Sequence, residues 1–147
     1  MRNSRLPLIL GILGAVALAG GAAAPLLRVP IAGTISYLNQ PEDFQGASYV
    51  GAAILLAAAG AAIIATIMKW RLLLVVAGIA SLGELVATIL RVNYTIKMAE
   101  AQASTTDIAG PFVIWQEALL RRAHFEWGVA VIAVGGLMVL IAAALRD

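Results

Sequence analysis

The sequence contains no cysteine and only one histidine, and these absences exclude several kinds of site. Without cysteine the chain has no disulfide framework, thiolate metal site, iron–sulfur cluster or cysteine nucleophile. A lone His124 also argues against a structural zinc site or a bis-histidine haem formed by this chain alone. We therefore predict that the chain holds no metal and no cofactor.

Charged residues are also scarce, at 12% of 147 residues, whereas 62% are hydrophobic. Soluble domains have about 25% charged and about 45–50% apolar residues, and so short a chain cannot bury such an excess of apolar side chains. The net charge is +2 with no basic block, which argues against nucleic-acid binding. An integral membrane protein, with the lipid bilayer as its first partner, is the class that remains.

The hydropathy pattern predicts four membrane-spanning helices, because each needs about 20 mostly apolar residues. The predicted spans are residues 6–27, 49–68, 70–92 and 127–145, connected by outer loops at 28–48 and 93–126. Only residues 69–71 separate the second span from the third, which indicates a tight helical hairpin. The predicted fold class is all-α: a four-transmembrane-helix bundle in one integral membrane domain, residues 1–147.

Basic residues close to the span ends favour the cytoplasmic side of a membrane. The compact basic groups at 1–5 and 69–71 therefore predict that both termini are cytoplasmic, in a bacterial inner membrane, although Lys and Arg number five on each side. The N-terminal segment also has features of a secretory signal, ending in Ala17-Leu18-Ala19. We interpret it as a retained first span.

Small residues at helical spacing predict the faces through which the spans pack, since helices in lipid associate by close approach. These faces are Gly14, Ala17, Gly21 and Ala24 in the first span, Ala53, Ala57 and Ala61 in the second, and Gly128 and Gly135 in the fourth. Abundant alanine and glycine produce such patterns by chance about as often. Either origin is compatible with a compact bundle, and unused faces would be available to other subunits.

The third predicted span carries a polar face. Ser81, Glu84, Thr88, Arg91 and Thr95 recur at steps of three and four residues, which aligns them along one side of a helix. A carboxylate at the depth of Glu84 costs about 2.5–3.5 kcal/mol on insertion scales, so this face should point at other helices.

A partner for the buried charge is available from the same face or from the start of the fourth span. We predict that Arg91 contacts Glu84 or Glu126, and that Ser81, Glu84, Thr88, Arg91 and Glu126 form an intramembrane polar network. Such a network serves either as a proton- or ion-handling site or as a buried pair that fixes helix register. The register interpretation is favoured, because no other span continues a polar track.

The predicted outer loops provide a candidate surface for partners. The alternation across Val29–Tyr37 predicts a short extended or β segment over the bundle, and a helix is expected to begin near Pro111 and either continue into the fourth span or break near His124. Residues of the possible partner surface are Tyr37, Phe112, Trp115 and Arg122. An aromatic belt at the membrane interface is the alternative explanation for the Trp and Tyr residues.

The sequence resembles known proteins in layout only. Ala24-Pro25-Leu26-Leu27-Arg28-Val29-Pro30-Ile31-Ala32-Gly33 and the late Phe125-Glu126-Trp127-Gly128 resemble small four-helix bacterial membrane proteins of an uncharacterised kind. The extended first outer loop is also similar to that of claudin-like proteins, without their Trp and Cys loop signature. The resemblance implies a four-helix membrane protein.

Two functional hypotheses follow, and neither is enzymatic. A membrane enzyme ranks third, since the sequence has no GxSxG, HExxH, Walker A or GxGxxG motif and no paired carboxylates at a catalytic spacing. The first is a multi-pass membrane subunit or scaffold that packs with copies of itself or with a larger membrane complex. The alternative is a small oligomeric transporter or channel that uses Glu84 within the membrane.

Overall fold

A computed structural model describes residues 5–29, 33–39, 49–105 and 124–146. Four helices occupy most of this part of the chain: α1 (Leu6–Ala23), α2 (Tyr49–Met68), α3 (Arg71–Thr105) and α4 (Trp127–Ala144). Each is long and apolar enough to cross a membrane. The prediction of a four-helix protein is thus confirmed at the level of helix number, length and composition.

Helix α1 is shorter than the predicted span, which extended to Leu27. Pro7 lies in its first turn, where a missing N–H costs little. The helix ends at Ala23 because Pro25 disfavours helical geometry in the residue before it, and Ala24 accordingly has an extended ψ of 151°. Residues 24–27 therefore leave the helix and lead into a strand.

Helix α3 is longer than predicted: it continues to Thr105 rather than ending at Val92, and has 35 residues, or about 52 Å. The predicted end at Val92 is wrong because it was placed where the hydropathy falls, and a helix can continue beyond its apolar part. The following residues include good helix formers and neither glycine nor proline, so nothing local ends the helix there. Val92 and Ile96 on this extension pack against Leu27 and Ile35.

A small antiparallel sheet lies at one end of the bundle. Strand β1 (Leu27–Val29) is central, with β2 (Gly33–Ile35) on one side and β3 (His124–Phe125) on the other. Leu27 pairs with both Ile35 and Phe125. The predicted extended segment is therefore a hairpin, and the added strand β3 shows that α4 does not continue unbroken from Pro111.

Gly33, the first residue of β2, has a φ of +84°. This backbone conformation is open to glycine at no steric cost, whereas other residues adopt it only with strain. Strand β2 thus begins with a residue whose backbone role the alternation pattern did not indicate.

The helices form a closed ring in which α1 contacts α2 and α4, and α3 contacts the same two neighbours. The predicted small-residue faces of α1 and α4 meet each other: a Cβ added at Gly14 would lie 2.9 Å from the Gly135 carbonyl oxygen. The prediction for α2 is wrong at Ala53 and Ala57, which are exposed, whereas Ala61 is partly buried and packs against the core. In their place, the alanines that α2 buries are Ala52, Ala58, Ala59, Ala62 and Ala65.

The two ends of the bundle have different structures. We call the end with the three strands the sheet end, and the end with the Lys69–Trp70 connection between α2 and α3 the turn end. Arg146 follows α4 at the turn end, where its guanidinium donates to the carbonyl oxygens of Ala65 and Thr66 at 3.0 and 2.6 Å. These are carbonyls of the last turn of α2, which lack partners within the helix.

Candidate functional site

The polar face of α3 points into the bundle. Ser81, Glu84 and Thr88 are all buried, although each is polar or charged. Burial of a charged group without a partner is costly in any protein, and more so in lipid. The prediction that this face points at other helices is therefore confirmed for these three residues.

Glu84 and Arg91 form an ion pair two helical turns apart. Arg91 Nη2 donates to Glu84 Oε1 at 3.0 Å, which confirms the predicted contact. The Glu84 side chain is 7% exposed and that of Arg91 is 39% exposed. The carboxylate is thus held inside the bundle, and its cation extends toward the surface.

The hairpin supplies a third member of this group. The Tyr37 hydroxyl lies 2.5 Å from Thr88 Oγ1, and Thr88 Oγ1 donates to Glu84 Oε1 at 3.2 Å. Because Thr88 has a single hydroxyl proton and gives it to Glu84, Tyr37 is the donor in the bond to Thr88. Burial raises the pKa of the Tyr37 phenol above its ordinary value, so Tyr37 keeps the proton that it donates.

Gly51, in the first turn of α2, makes room for this group. A Cβ at this position would lie 2.5 Å from Glu84 Oε1 and 2.6 Å from Tyr37 Cε1, which is closer than any real side chain approaches. The absence of a side chain at Gly51 therefore lets the carboxylate and the phenol ring pack against the α2 backbone. We call Tyr37, Glu84, Thr88 and Arg91 the Glu84 cluster.

Three residues of the predicted polar face or network do not join the Glu84 cluster. Ser81 Oγ donates to the Gly78 carbonyl of its own helix at 2.9 Å, and Thr95 Oγ1 donates to the Arg91 carbonyl at 2.9 Å. Glu126 was predicted to share the network, and this is wrong. Its carboxylate pairs with Arg28 at 3.6 Å and with His124 at 3.4 Å, because the strands place these side chains at the sheet end.

The predicted partner surface is also corrected at one position. Tyr37 is fully buried, so it is neither a partner contact nor part of an aromatic belt. The alternation pattern indicated its side of the strand but not whether that side faced the bundle. Phe112, Trp115 and Arg122 lie outside the described residues.

The buried hydroxyl of Thr66 behaves differently from those of the Glu84 cluster. Thr66, near the turn end of α2, is 1% exposed, and its Oγ1 has no hydrogen-bond partner in the described part of the chain. It packs closely against the backbone of Gly11 in α1. Sequence reasoning did not single out Thr66 or Gly51, because neither departs from the composition of an apolar helix.

In the described part of the chain, the geometry of the Glu84 cluster offers one buried carboxylate, one cation and two hydroxyl groups joined by hydrogen bonds. Within residues 5–29, 33–39, 49–105 and 124–146, no group of three or more His, Asp or Glu side chains is placed to hold a metal. Beside Arg91 lies a cleft of about 640 Å³, whose described lining residues are Leu90, Arg91, Asn93, Tyr94, Thr95 and Lys97. The Glu84 cluster thus approaches the surface on one side, at the sheet end.

Comparison with protein-family models, curated proteins and solved structures finds no match for this chain.

Proposed function

We propose that the chain is a non-enzymatic multi-pass membrane subunit or scaffold that packs with copies of itself or with a larger membrane complex. The observation that carries this proposal is that the polar groups of the Glu84 cluster are hydrogen-bonded to one another. Its carboxylate accepts from Arg91 and Thr88, and Thr88 in turn accepts from Tyr37. Buried charge used in this way attaches the hairpin to the helices, which is a structural role.

The outward face of α2 supports an assembly role. Ala53 and Ala57 are exposed, and a Cβ added at Gly60 would meet nothing within 4 Å. Small exposed residues at this spacing permit another helix to approach closely, which is how helices associate in lipid. We place this face against a second copy of the chain or a partner subunit.

The location that fits this role is a bacterial inner membrane with the turn end on the cytoplasmic side. In the described part of the chain, the charged side chains near the turn end are Arg5, Lys69, Arg71 and Arg146, all of them positive. An excess of Lys and Arg close to span ends is typical of the cytoplasmic side. Because the chain has no native cysteine, labelling of single cysteines introduced at Arg5 and at Asn39 tests this orientation directly.

Oligomeric state in mild detergent tests the assembly proposal. We expect native mass spectrometry to show species heavier than the 15.2 kDa chain, and Ala57→Leu to shift the population toward the monomer. Ala130→Leu is the matched control, since Ala130 is also exposed but lies on α4. A monomer under all extraction conditions would contradict the proposal. An oligomer that is unchanged in Ala57→Leu would show that the contact between subunits uses a face other than that of Ala57.

The second candidate is a small oligomeric transporter or channel that uses Glu84. The observation in its favour is the cleft beside Arg91, which brings the Glu84 cluster close to the surface at the sheet end. Toward the turn end, however, the next polar residue, Ser81, is bonded to its own helix. Flux in liposomes that is abolished by Glu84→Gln and retained in Arg5→Gln, which removes an exposed charge at the turn end, would favour this candidate over a scaffold.

A further inference from the structure

The turn end contains a cleft that combines two cations with an aromatic ring and apolar side chains. The cleft has a volume of about 530 Å³ and is lined by Lys69, Trp70, Arg71, Leu72, Leu73 and Val76. Neither Lys69 nor Arg71 forms an ion pair with any residue in the described part of the chain. As far as the described residues go, both cations are therefore available to an anion from outside the protein.

From this cleft, an apolar strip of exposed residues runs along α3 away from the turn end. Leu72, Val76 and Ile79 are exposed on one side of the helix, with Leu72 at 78%, and the exposed Gly83 follows at the same spacing. From Leu72 to Gly83 the strip is about 16 Å long, close to half of a hydrocarbon core about 30 Å thick. This length matches one acyl chain in one leaflet.

Lys69 occupies a backbone conformation that favours glycine. Its φ is +59°, and the Trp70 N–H reaches back to the Ala65 carbonyl at 2.9 Å, an arrangement that usually ends a helix at glycine. A lysine here is strained relative to glycine. What the lysine adds to the turn is its side chain, which carries one of the two charges of the cleft.

We infer that this cleft binds the headgroup of an anionic phospholipid, with the phosphate between Lys69 and Arg71 and an acyl chain along the Leu72–Gly83 strip. Trp70, which is 55% exposed, lies at the level where tryptophan contacts the headgroup region. Basic clusters beside helix ends attract anionic lipids of the cytoplasmic leaflet. The inference requires membrane insertion, as proposed above, but no particular oligomeric state.

Native mass spectrometry of the full chain with added lipid tests this inference. We expect phosphatidylglycerol to remain bound at least fivefold more than phosphatidylcholine, and this preference to be lost in the double variant Lys69→Gln, Arg71→Gln. Arg5→Gln with Lys97→Gln removes the same charge elsewhere and should keep the preference. Equal binding of the two lipids by the natural chain, or an unchanged preference in the cleft variant, would overturn the inference.

A single substitution separates lipid binding from folding. Lys69→Gly removes one cation and also relieves the strained backbone, so we expect the thermal midpoint in lipid-free detergent to rise by about 3 °C while phosphatidylglycerol binding falls. Competition by inorganic phosphate distinguishes the ligand source: we expect none at millimolar concentration, because the acyl chain contributes to binding. Full displacement by phosphate would overturn the lipid assignment, and the oligomer distribution measured in the same spectra tests the scaffold proposal independently.

Discussion

At the sheet end of the bundle, Arg91 and Arg28 lie 3.0 and 3.6 Å from the carboxylates of Glu84 and Glu126, whereas at the turn end Lys69 and Arg71 have no acidic neighbour in the described part of the chain. The same residue types therefore have different roles at the two ends. Where an acid is buried, the cation compensates its charge and its removal is costly. Where no acid of the described residues pairs with it, the cation is available to the surroundings and contributes little to folding.

Removal of one arginine at each end is the strongest test of this comparison. We expect Arg91→Ala to lower the free energy of unfolding by about 3 kcal/mol, because it leaves the Glu84 carboxylate buried without its cation. Arg71→Ala should change stability by no more than about 0.5 kcal/mol, since Arg71 forms no ion pair in the described residues. Thermal unfolding in detergent measures both, and equal losses at the two ends would refute the distinction.

Two glycines of α2 sharpen the comparison between the buried cluster and the outer face. Gly51→Ala should destabilise by about 2 kcal/mol, because its Cβ would overlap Glu84 and Tyr37. In a detergent that keeps the chain monomeric, Gly60→Ala should stabilise by about 0.5–1 kcal/mol, since nothing lies within 4 Å and alanine is the better helix former. Denaturant titration of both variants in that detergent gives the two signs, and destabilisation of the monomer by Gly60→Ala would contradict an open α2 face.

Removal of the Tyr37 hydroxyl measures how much the hydrogen bond from the hairpin contributes to the stability of the protein. Tyr37→Phe keeps the buried ring but removes the donor to Thr88, and we expect a loss of about 1 kcal/mol. Tyr49→Phe is the control, because Tyr49 is exposed. If the two variants unfold at the same temperature, the hydrogen bond from the hairpin to the Glu84 cluster contributes no stability.

The smallest expected effect compares two buried threonines. Thr66→Val removes a hydroxyl without a partner in the described residues, so we expect stabilisation of up to about 1 kcal/mol. Thr88→Val removes a hydroxyl that joins Tyr37 to Glu84 and should destabilise instead. Calorimetry of the two variants gives the sign of the change in stability for each threonine. A loss of stability in Thr66→Val would indicate a hydrogen bond beyond the described residues.

Much of the fold follows from local properties of the chain. Four apolar segments of sufficient length predicted the four helices, and the spacing of Glu84 and Arg91 predicted their contact, because both depend on helical periodicity alone. The boundaries were less well predicted, since Pro25 ends α1 before its hydrophobic run ends, and α3 continues after its hydropathy falls.

What the tertiary structure decided is which side of each element faces which neighbour. The alternation at Ile35 and Tyr37 was visible in the sequence, but only the docking of the hairpin against α3 buries Tyr37 and gives Thr88 a donor. Likewise, the pairing of β3 with β1 directs Glu126 to Arg28 rather than to Arg91. Such contacts join residues far apart in sequence, and a periodic pattern specifies a face but not its partner.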